Sequence, residues 1–577
     1  MFKENNQHLQ PYLISNINDL PEKQKSLLEN SWSGTFYKEV FCRIDEQTFS
    51  VLYVDFPSRP NAPVNELTCL EILKAGQGWT DEEMWHHYLF DLQTRYALGL
   101  EQLGEAHFDL RTVYNFRERL SRYMQETGIN LLDQAFAQVT DEQIEVYQVK
   151  TNRQRMDSTQ VASDIRQMGR IQLLVTILQR MPRMLSEEDQ VHYAEALAPY
   201  TQGHAGQYVY HMKSDDFDDH LQQIGALMGQ LLVELKPNYK DEPIYQVLER
   251  VFREHFQIEE NIVHSKSNDQ LSASSLQSPD DLEATYRNKC GQGYQGYTAN
   301  ITETCDPENE LQLITNVLVA PNNVDDTQLL DEALPELKER TDLDTLYTDG
   351  GYGSPKTDKN LRENDVEQIQ TAIRGRKPRA EKLHLSDFEI KQTEKGKPTQ
   401  ITCPQGQTVT VRGSNKRKSF VAHFAQDTCQ TCPFSEACPA KPGKRDPRWH
   451  LRFTQTQANV ARRRRQSQIH LEEGRNLRAA VEATVRQVKH PFPGGKLPVR
   501  GQFRVTCMIL GSAIMSNIRR IQRFTAMKSK PSNEKTEGKE AKSIQTNTFS
   551  LFLYSWGGYS LVDTSLPYFE LQWTKII

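Results

Sequence analysis

The stretch Asp344-Thr345-Leu346-Tyr347-Thr348-Asp349-Gly350-Gly351-Tyr352-Gly353 alternates apolar and polar residues and then breaks into glycines. That is the pattern of a short strand ending in a carboxylate and a tight turn. Working outward, Gly293 to Ile301 and Gln312 to Val319 also have strand character, and Asp331 to Arg340 reads as a helix. Two strands, a helix and a further strand with a Gly-rich end predict a mixed α/β sheet. Thr48 to Val54 alternates in the same way and predicts one more strand near the N-terminus.

A chain of 577 residues is too long for one hydrophobic core, and 37% hydrophobic with 25% charged residues suits a polar multidomain protein. The fold class expected is α+β. After the proline-rich Pro57 to Pro63, Thr80 and Glu83 form a capping-box pattern ahead of a helical region, and Arg111 to Met124 has helical spacing. Such helices fit a DNA-docking module or an ordinary bundle equally well. Residues from about 160 to 265 are helix-rich and acidic, and 380 to 450 are strand-rich with cysteines. A single long helix is expected from about 456 to 489, and a second from about Gln502 to Phe524.

The formal charge of −7 conceals an asymmetry. Arg374 to Arg523 is heavily basic, with Arg462, Arg463, Arg464 and Arg465 at its centre and Lys416-Arg417-Lys418 upstream. Phosphate binding follows local potential, so this asymmetry points to a nucleic-acid partner. The polar start lacks the apolar core of a secretory signal, and no stretch is long enough to span a bilayer. Nine cysteines, an odd number and several isolated, argue for a reducing cytoplasm.

Three acidic positions stand out. Asp157 lies between Met156 and Ser158-Thr159, where a strand-borne carboxylate can face a cleft; most such triplets are turns or caps. Asp349 precedes two glycines that leave room for a metal or a phosphate backbone. Glu482 falls four residues after Arg478 and seven before Lys489, so on one continuous helix all three share a face. Each alone is ordinary; together they could supply the hard oxygen ligands that two Mg²⁺ or Mn²⁺ ions need, with Arg478 and Lys489 on phosphates. Separately, Cys403, Cys429, Cys432 and Cys438 could make a tetrahedral structural Zn²⁺ site or remain reduced, partly buried thiols. His86 and His87 read as helix surface or core.

The chain resembles insertion-sequence transposases with an IS4/IS5-like DDE domain, most closely the IS1182-type group. The likeness is carried, in order, by SRPNAPVNELTCLEILK (58–74), WTDEEMWHHYLFDLQTRYALGL (79–100), FDLRTVYNFRERL (108–120), MDSTQVASDIRQMGRIQLL (156–174), YRNKCGQGYQGYTANITETCD (286–306), LYTDGGYGSP (346–355), RAAVEATVRQVKHPFPGGKLPVRGQFRV (478–505) and GSAIMSNIRRI (511–521). The resemblance implies an RNase H-like catalytic core with Asp157, Asp349 and Glu482 as a magnesium-binding catalytic triad. It also implies a Tyr-x2-Arg-x3-Glu-x6-Lys signature, of which Arg478, Glu482 and Lys489 match while Arg475 replaces the Tyr.

On that basis the expected organisation is a mixed segment at 1–60 and a helical DNA-binding domain at 61–145. The first part of the core follows at 146–380, with a helical insertion at about 165–265. A Cys-rich insertion at 381–450, the Glu-bearing part of the core at 451–525 and a flexible tail at 526–577 complete it. The implied activity is metal-dependent cleavage and strand transfer at element ends, on double-stranded DNA (terminal inverted repeats and target). A homodimer or higher synaptic complex in the bacterial cytoplasm, at the nucleoid, is the expected state. Arg462 to Arg465, Arg475, Arg478 and Lys489 are the expected DNA contacts. An inactive DNA-binding relative and a nuclease without joining activity are the alternatives.

Overall fold

Strand β1 (Arg153–Val161) runs through the middle of a six-stranded sheet whose other members come from distant parts of the chain. They are β2 (Thr285–Lys289), β3 (Gln292–Thr304), β4 (Ile314–Pro321), β5 (Thr345–Thr348) and β6 (Glu367–Gln370). The order is β2–β3–β1–β5–β6, with β4 also paired to β3. β3 pairs antiparallel with β1, β2 and β4, whereas β5 runs parallel to both β1 and β6. The computed structural model describes residues 1–529 except 11–14, 55, 57–58, 103–107, 290, 372, 374–380, 394–395, 415–418, 444–445 and 473–475. Lys416, Arg417, Lys418, Arg475 and residues 530–577 of the expected tail therefore lie outside the described residues.

From Tyr297 onward β3 is buried at every position, on both faces, so its polar side chains must find partners inside the protein. Glu303 is fully buried. It accepts hydrogen bonds from Arg155 Nε at 2.7 Å and Thr484 Oγ1 at 2.7 Å, and pairs with Arg520 Nη1 at 2.7 Å. Arg155 in turn donates to the Leu477 carbonyl at 2.7 Å, and Arg520 donates to Thr484 Oγ1 at 2.5 Å.

Helices cover the sheet. α1 (Val64–Gln77) belongs to the N-terminal helical region, α2 (Asp326–Arg340) links β4 to β5, and α3 (Pro355–Glu363) links β5 to β6. α4 (Gln455–Glu472), α5 (Val481–Lys489) and α6 (Gln502–Lys528) follow the Cys-rich insertion. α6 and α1 touch almost backbone to backbone: a Cβ on Gly511 would stand 2.7 Å from Ala75 Cβ, and one on Gly76 would stand 1.9 Å from Met515 Cγ. One hydrophobic core consequently runs from Phe36 through α1 and the sheet to Ile518 of α6. The N-terminal helices share their core with the sheet and with α6.

Two regions have cores of their own. Residues Ile171 to Leu276 form a helical subdomain around Leu174, Ile224, Met228 and Leu248. The other is an antiparallel sheet of β7 (Glu389–Gln392), β8 (Pro398–Thr402), β9 (Thr408–Ser414), β10 (Ser419–Phe424), β11 (Lys441–Pro442) and β12 (Trp449–Thr454). Its order is β11–β12–β10–β9–β8–β7, around Phe388, Ile401 and Phe424.

Two expected elements differ. Thr48 to Val54 is not a strand; Glu46–Leu52 is a 3₁₀ helix, because Asp45 accepts from Gln47 N and starts the turn locally. The single helix from 456 to 489 is two, α4 and α5, with Leu477 to Ala480 in a turn where Ala479 N donates to the Asn476 carbonyl and Val481 N to the Arg478 carbonyl.

Replacing Glu303 with Gln leaves two guanidinium groups in the interior facing a neutral amide. The expected outcome is a loss of about 3–5 kcal/mol, read as a lower urea midpoint, with the far-UV spectrum of the surviving native state unchanged.

Candidate active site

β1 and β5 are parallel, with Arg155 opposite Tyr347. Carried two residues further, that register sets Asp157 beside Asp349, at the point where β5 ends. Asp349 is held there by its own turn: its Oδ1 accepts from Gly351 N at 2.6 Å and caps the 3₁₀ turn Gly350–Tyr352. Asp157 Oδ1 accepts from Ser158 N at 3.0 Å. Beneath them Tyr352 is fully buried, its hydroxyl donating to Asn300 Oδ1 at 2.7 Å.

Glu482 comes from the first turn of α5 and is exposed. Arg478 lies in the turn ahead of α5, not on the same helix as expected. Even so, its Nη2 reaches Asp157 Oδ2 at 3.0 Å and its Nη1 reaches Glu482 Oε1 at 3.4 Å. One guanidinium thus bridges a sheet carboxylate and a helix carboxylate. The three acidic side chains do not close to within 4.8 Å of one another. Burial raises the pKa of Asp157; the Arg478 charge opposes this and the neighbouring Asp349 adds to it. The net effect disfavours the Asp157 anion, as expected for a carboxylate beside a like charge.

Lys489 does not project into open space. Its Nζ donates to the Gln160 carbonyl at 2.8 Å and Thr159 Oγ1 at 3.3 Å, and burial lowers its pKa. It ties the far end of α5 to β1, which fixes the orientation of the helix carrying Glu482.

The arginine cluster divides by exposure. Arg463 is buried and pairs with Asp358, itself 2% exposed, at 3.6 Å, while Asn459 Nδ2 donates to the same carboxylate oxygen. Arg462 approaches Asp358 at 4.0 Å, and Arg465 approaches Glu389 at 4.0 Å. Arg463, an expected DNA contact, lies buried with its charge paired inside the protein. Gly353 is part of the reason, since a Cβ there would lie 2.0 Å from Arg463 Nη1. That glycine of the Gly-rich turn makes room for an arginine rather than for a phosphate.

The four cysteines gather at one end of the insertion sheet. Burial, then repulsion from Cys438, Cys403 and Cys432, pushes Cys429 up to about 11. No three of their sulfurs lie within 4.8 Å of one another. A group that sequence reading missed does meet that distance, His423, Asp446 and His450. The two histidines are cross-strand partners on β10 and β12, a register that cannot be read before the strand pairing is known.

Residues 402–522 match a family model described as a transposase DDE domain. The matched span contains Glu482, α5 and most of α6, and it supports a DDE transposase. No curated protein and no solved structure matches the chain. Among the described residues no helix is long and apolar enough to cross a membrane.

Because the folded pKa of Asp157 is raised, its contribution to stability is fully present below the unfolded carboxylate range and is lost as pH rises through the folded value. At neutral pH and in chelator, Asp157→Asn is expected to melt no lower than wild type. Added Mg²⁺ should raise the melting temperature of wild type only. A scan in which both proteins respond equally to Mg²⁺ would place the ion elsewhere.

Arg463→Ala leaves the buried Asp358 with only the neutral Asn459 amide and the more distant Arg462 as partners. Its expected effect is a stability loss of about 3 kcal/mol, with the salt dependence of DNA binding by the folded fraction unchanged.

Proposed function

We propose that the chain is a DDE transposase of the IS1182-type group, which cleaves DNA at the ends of an insertion sequence and joins those ends to a target. The observation that carries this reading is the joint position of Asp157, Asp349 and Glu482. Two lie just past the paired part of parallel neighbours, close enough for the charge of Asp349 to act on Asp157, and Arg478 bridges the first and the third. The transposase DDE domain match over the Glu482 region supports it independently.

The sheet is read as an RNase H-like core. What supports this is the order β4–β3–β1–β5–β6, an antiparallel unit of three strands continued by two parallel strands. The first acidic residue then lies on the central strand and the second just after its parallel neighbour.

The donor set fits divalent Mg²⁺ or Mn²⁺: three hard carboxylates, of which Asp157 is held next to the charge of Asp349, a repulsion that a cation relieves. Two such ions would supply Lewis-acid activation of the attacking water or 3′-hydroxyl and stabilisation of the leaving 3′-oxygen. Asp157, Asp349 and Glu482 would hold them. Arg478, once released from the carboxylates, offers a planar fork that suits a phosphate bidentately. Lys489 keeps α5 registered on β1. We further assign Cys403, Cys429, Cys432 and Cys438 to a structural Zn²⁺, supported by the packing of Cys403, Cys429 and Cys438 against one core; the sulfurs would have to draw together on the ion. The reading entails double-stranded DNA as partner, pairing of two ends by a homodimer or larger assembly, and action at the nucleoid in the cytoplasm.

The test is a donor DNA carrying the flanking inverted repeats, incubated with Mg²⁺ and assayed for nicks and for joined product. Asp349→Asn and Glu482→Gln should each lower both by roughly 10³-fold or more, the several kcal/mol that a catalytic metal contributes. A pre-cleaved donor with a free 3′-hydroxyl should still be joined by wild type; cleavage without joining would make the protein a nuclease instead. Undiminished activity in Asp349→Asn would overturn the site.

A further inference from the structure

The insertion sheet holds a second cluster of metal-ligating side chains, well separated in sequence from the carboxylates above. His423 on β10 and His450 on β12 face each other directly across the ladder, their rings 4.5 Å apart and nearly perpendicular. Asp446, in the turn between β11 and β12, brings Oδ2 to 3.8 Å from His423 Nδ1 and 3.4 Å from His450 Nε2. One ligand atom from each residue lies within 4.8 Å of the other two.

The two nitrogens carry the argument. His423 Nδ1 and His450 Nε2 are both shielded from solvent and make no hydrogen bond. Buried polar atoms are normally satisfied, and two on facing rings aimed at one carboxylate demand an explanation. A water or a proton could serve one of them. A cation that accepts two imidazole lone pairs and a carboxylate oxygen serves all three at once.

The surroundings are built to admit it. Gly443 stands against the cluster so closely that a Cβ would lie 2.8 Å from His450 Nε2 and 2.4 Å from the Asp446 carbonyl oxygen. Asp446 is also held by Arg448, whose Nη2 donates to Oδ2 at 2.6 Å and whose Nε donates to Oδ1 at 2.9 Å and Oδ2 at 3.0 Å. The backbone N–H of Arg448 adds a bond to Oδ1 at 3.1 Å. Arg448 thus acts as the counter-charge of Asp446 and would have to yield Oδ2 to an ion.

We propose that His423, Asp446 and His450 form a Zn²⁺-class site with two nitrogen ligands and one oxygen ligand, the remaining coordination being completed by solvent. Binding ties Asp446 to both strands and releases Arg448 Nη2 from Oδ2, while Arg448 Nε stays on Oδ1. The site is independent of the carboxylate triad and of the four cysteines.

The full-length chain, stripped with chelator, is titrated with Co²⁺ and followed by visible absorption, with bound Zn²⁺ counted after equilibrium dialysis. Three variants are compared with wild type: His450→Gln, Asp446→Asn and Cys432→Ser. Asp446 lies in a turn with its side chain part-exposed, so Asp446→Asn retains the fold even if His450→Gln does not. The expected result is loss of one bound ion per chain, with its tetrahedral bands, in His450→Gln and Asp446→Asn. That ion should persist in Cys432→Ser and should lack thiolate charge-transfer absorption. Unchanged stoichiometry and spectrum in both His450→Gln and Asp446→Asn would overturn the site. The three groups would then be a histidine–aspartate ion pair.

Discussion

Glu303 is the group to which the geometry of the acidic site is anchored. Its carboxylate is sealed in the sheet and engaged by Arg155 from β1, Arg520 from α6 and Thr484 from α5. Two arginines around one carboxylate leave the cluster with a net positive charge in the interior, tolerable only because the remaining donors find carbonyls at Leu477 and Gln312. A buried ionic cluster of this kind contributes less to stability than to uniqueness: an apolar substitute could slide, whereas four elements meeting at one carboxylate have one register. The carbonyl taken by Arg155 belongs to the residue just before Arg478, so the turn that presents Arg478 is set from within the core.

The same logic places the helix bearing Glu482. α5 is short and would drift if only its apolar face held it. It is fixed at its middle by Thr484, at its far end by Lys489 on β1, and from α6 by Ser512, whose hydroxyl donates to the Val488 carbonyl at 2.7 Å. α6 is itself clamped to α1 through the close glycine contacts at 76 and 511. The N-terminal helices therefore support the acidic site mechanically, whatever else their outer surface contacts.

Much of this was legible in the sequence, and the failures have physical causes. The strand ending at Asp349 and the two strands before it follow from alternation and turn chemistry, which are local. The split between α4 and α5 was missed because spacing at 478, 482 and 489 mimics one helical face, and Arg478 reaches Glu482 by an i,i+4 contact even from a turn. The 3₁₀ helix at Glu46–Leu52 was misread because alternation over seven residues cannot distinguish a strand from a turn stabilised by Asp45 and by Glu46, which accepts from Val64 N and Asn65 N. Glu303 carries no signal in the sequence, since it lies beyond the strand expected at Gly293 to Ile301. Only the pairing of β3 on both sides buries it.

Local charge is the remaining instance where sequence and structure part company, and it bears on how DNA would be held. The basic stretch from 374 to 523 counts every arginine equally. Arg520 is spent on Glu303 and Arg463 on Asp358, and Arg478 neutralises two carboxylates. Potential at the surface comes only from guanidinium groups whose charge is not already cancelled at short range, so the raw count overstates the field that a phosphate backbone would meet. Arg478 has a different standing from the other two. Its partners are the carboxylates that divalent cations would claim, so loading those cations is the event that would turn it from an internal counter-charge into a phosphate ligand. One side chain serving two alternative partners would couple metal binding to DNA binding on the proposed reading.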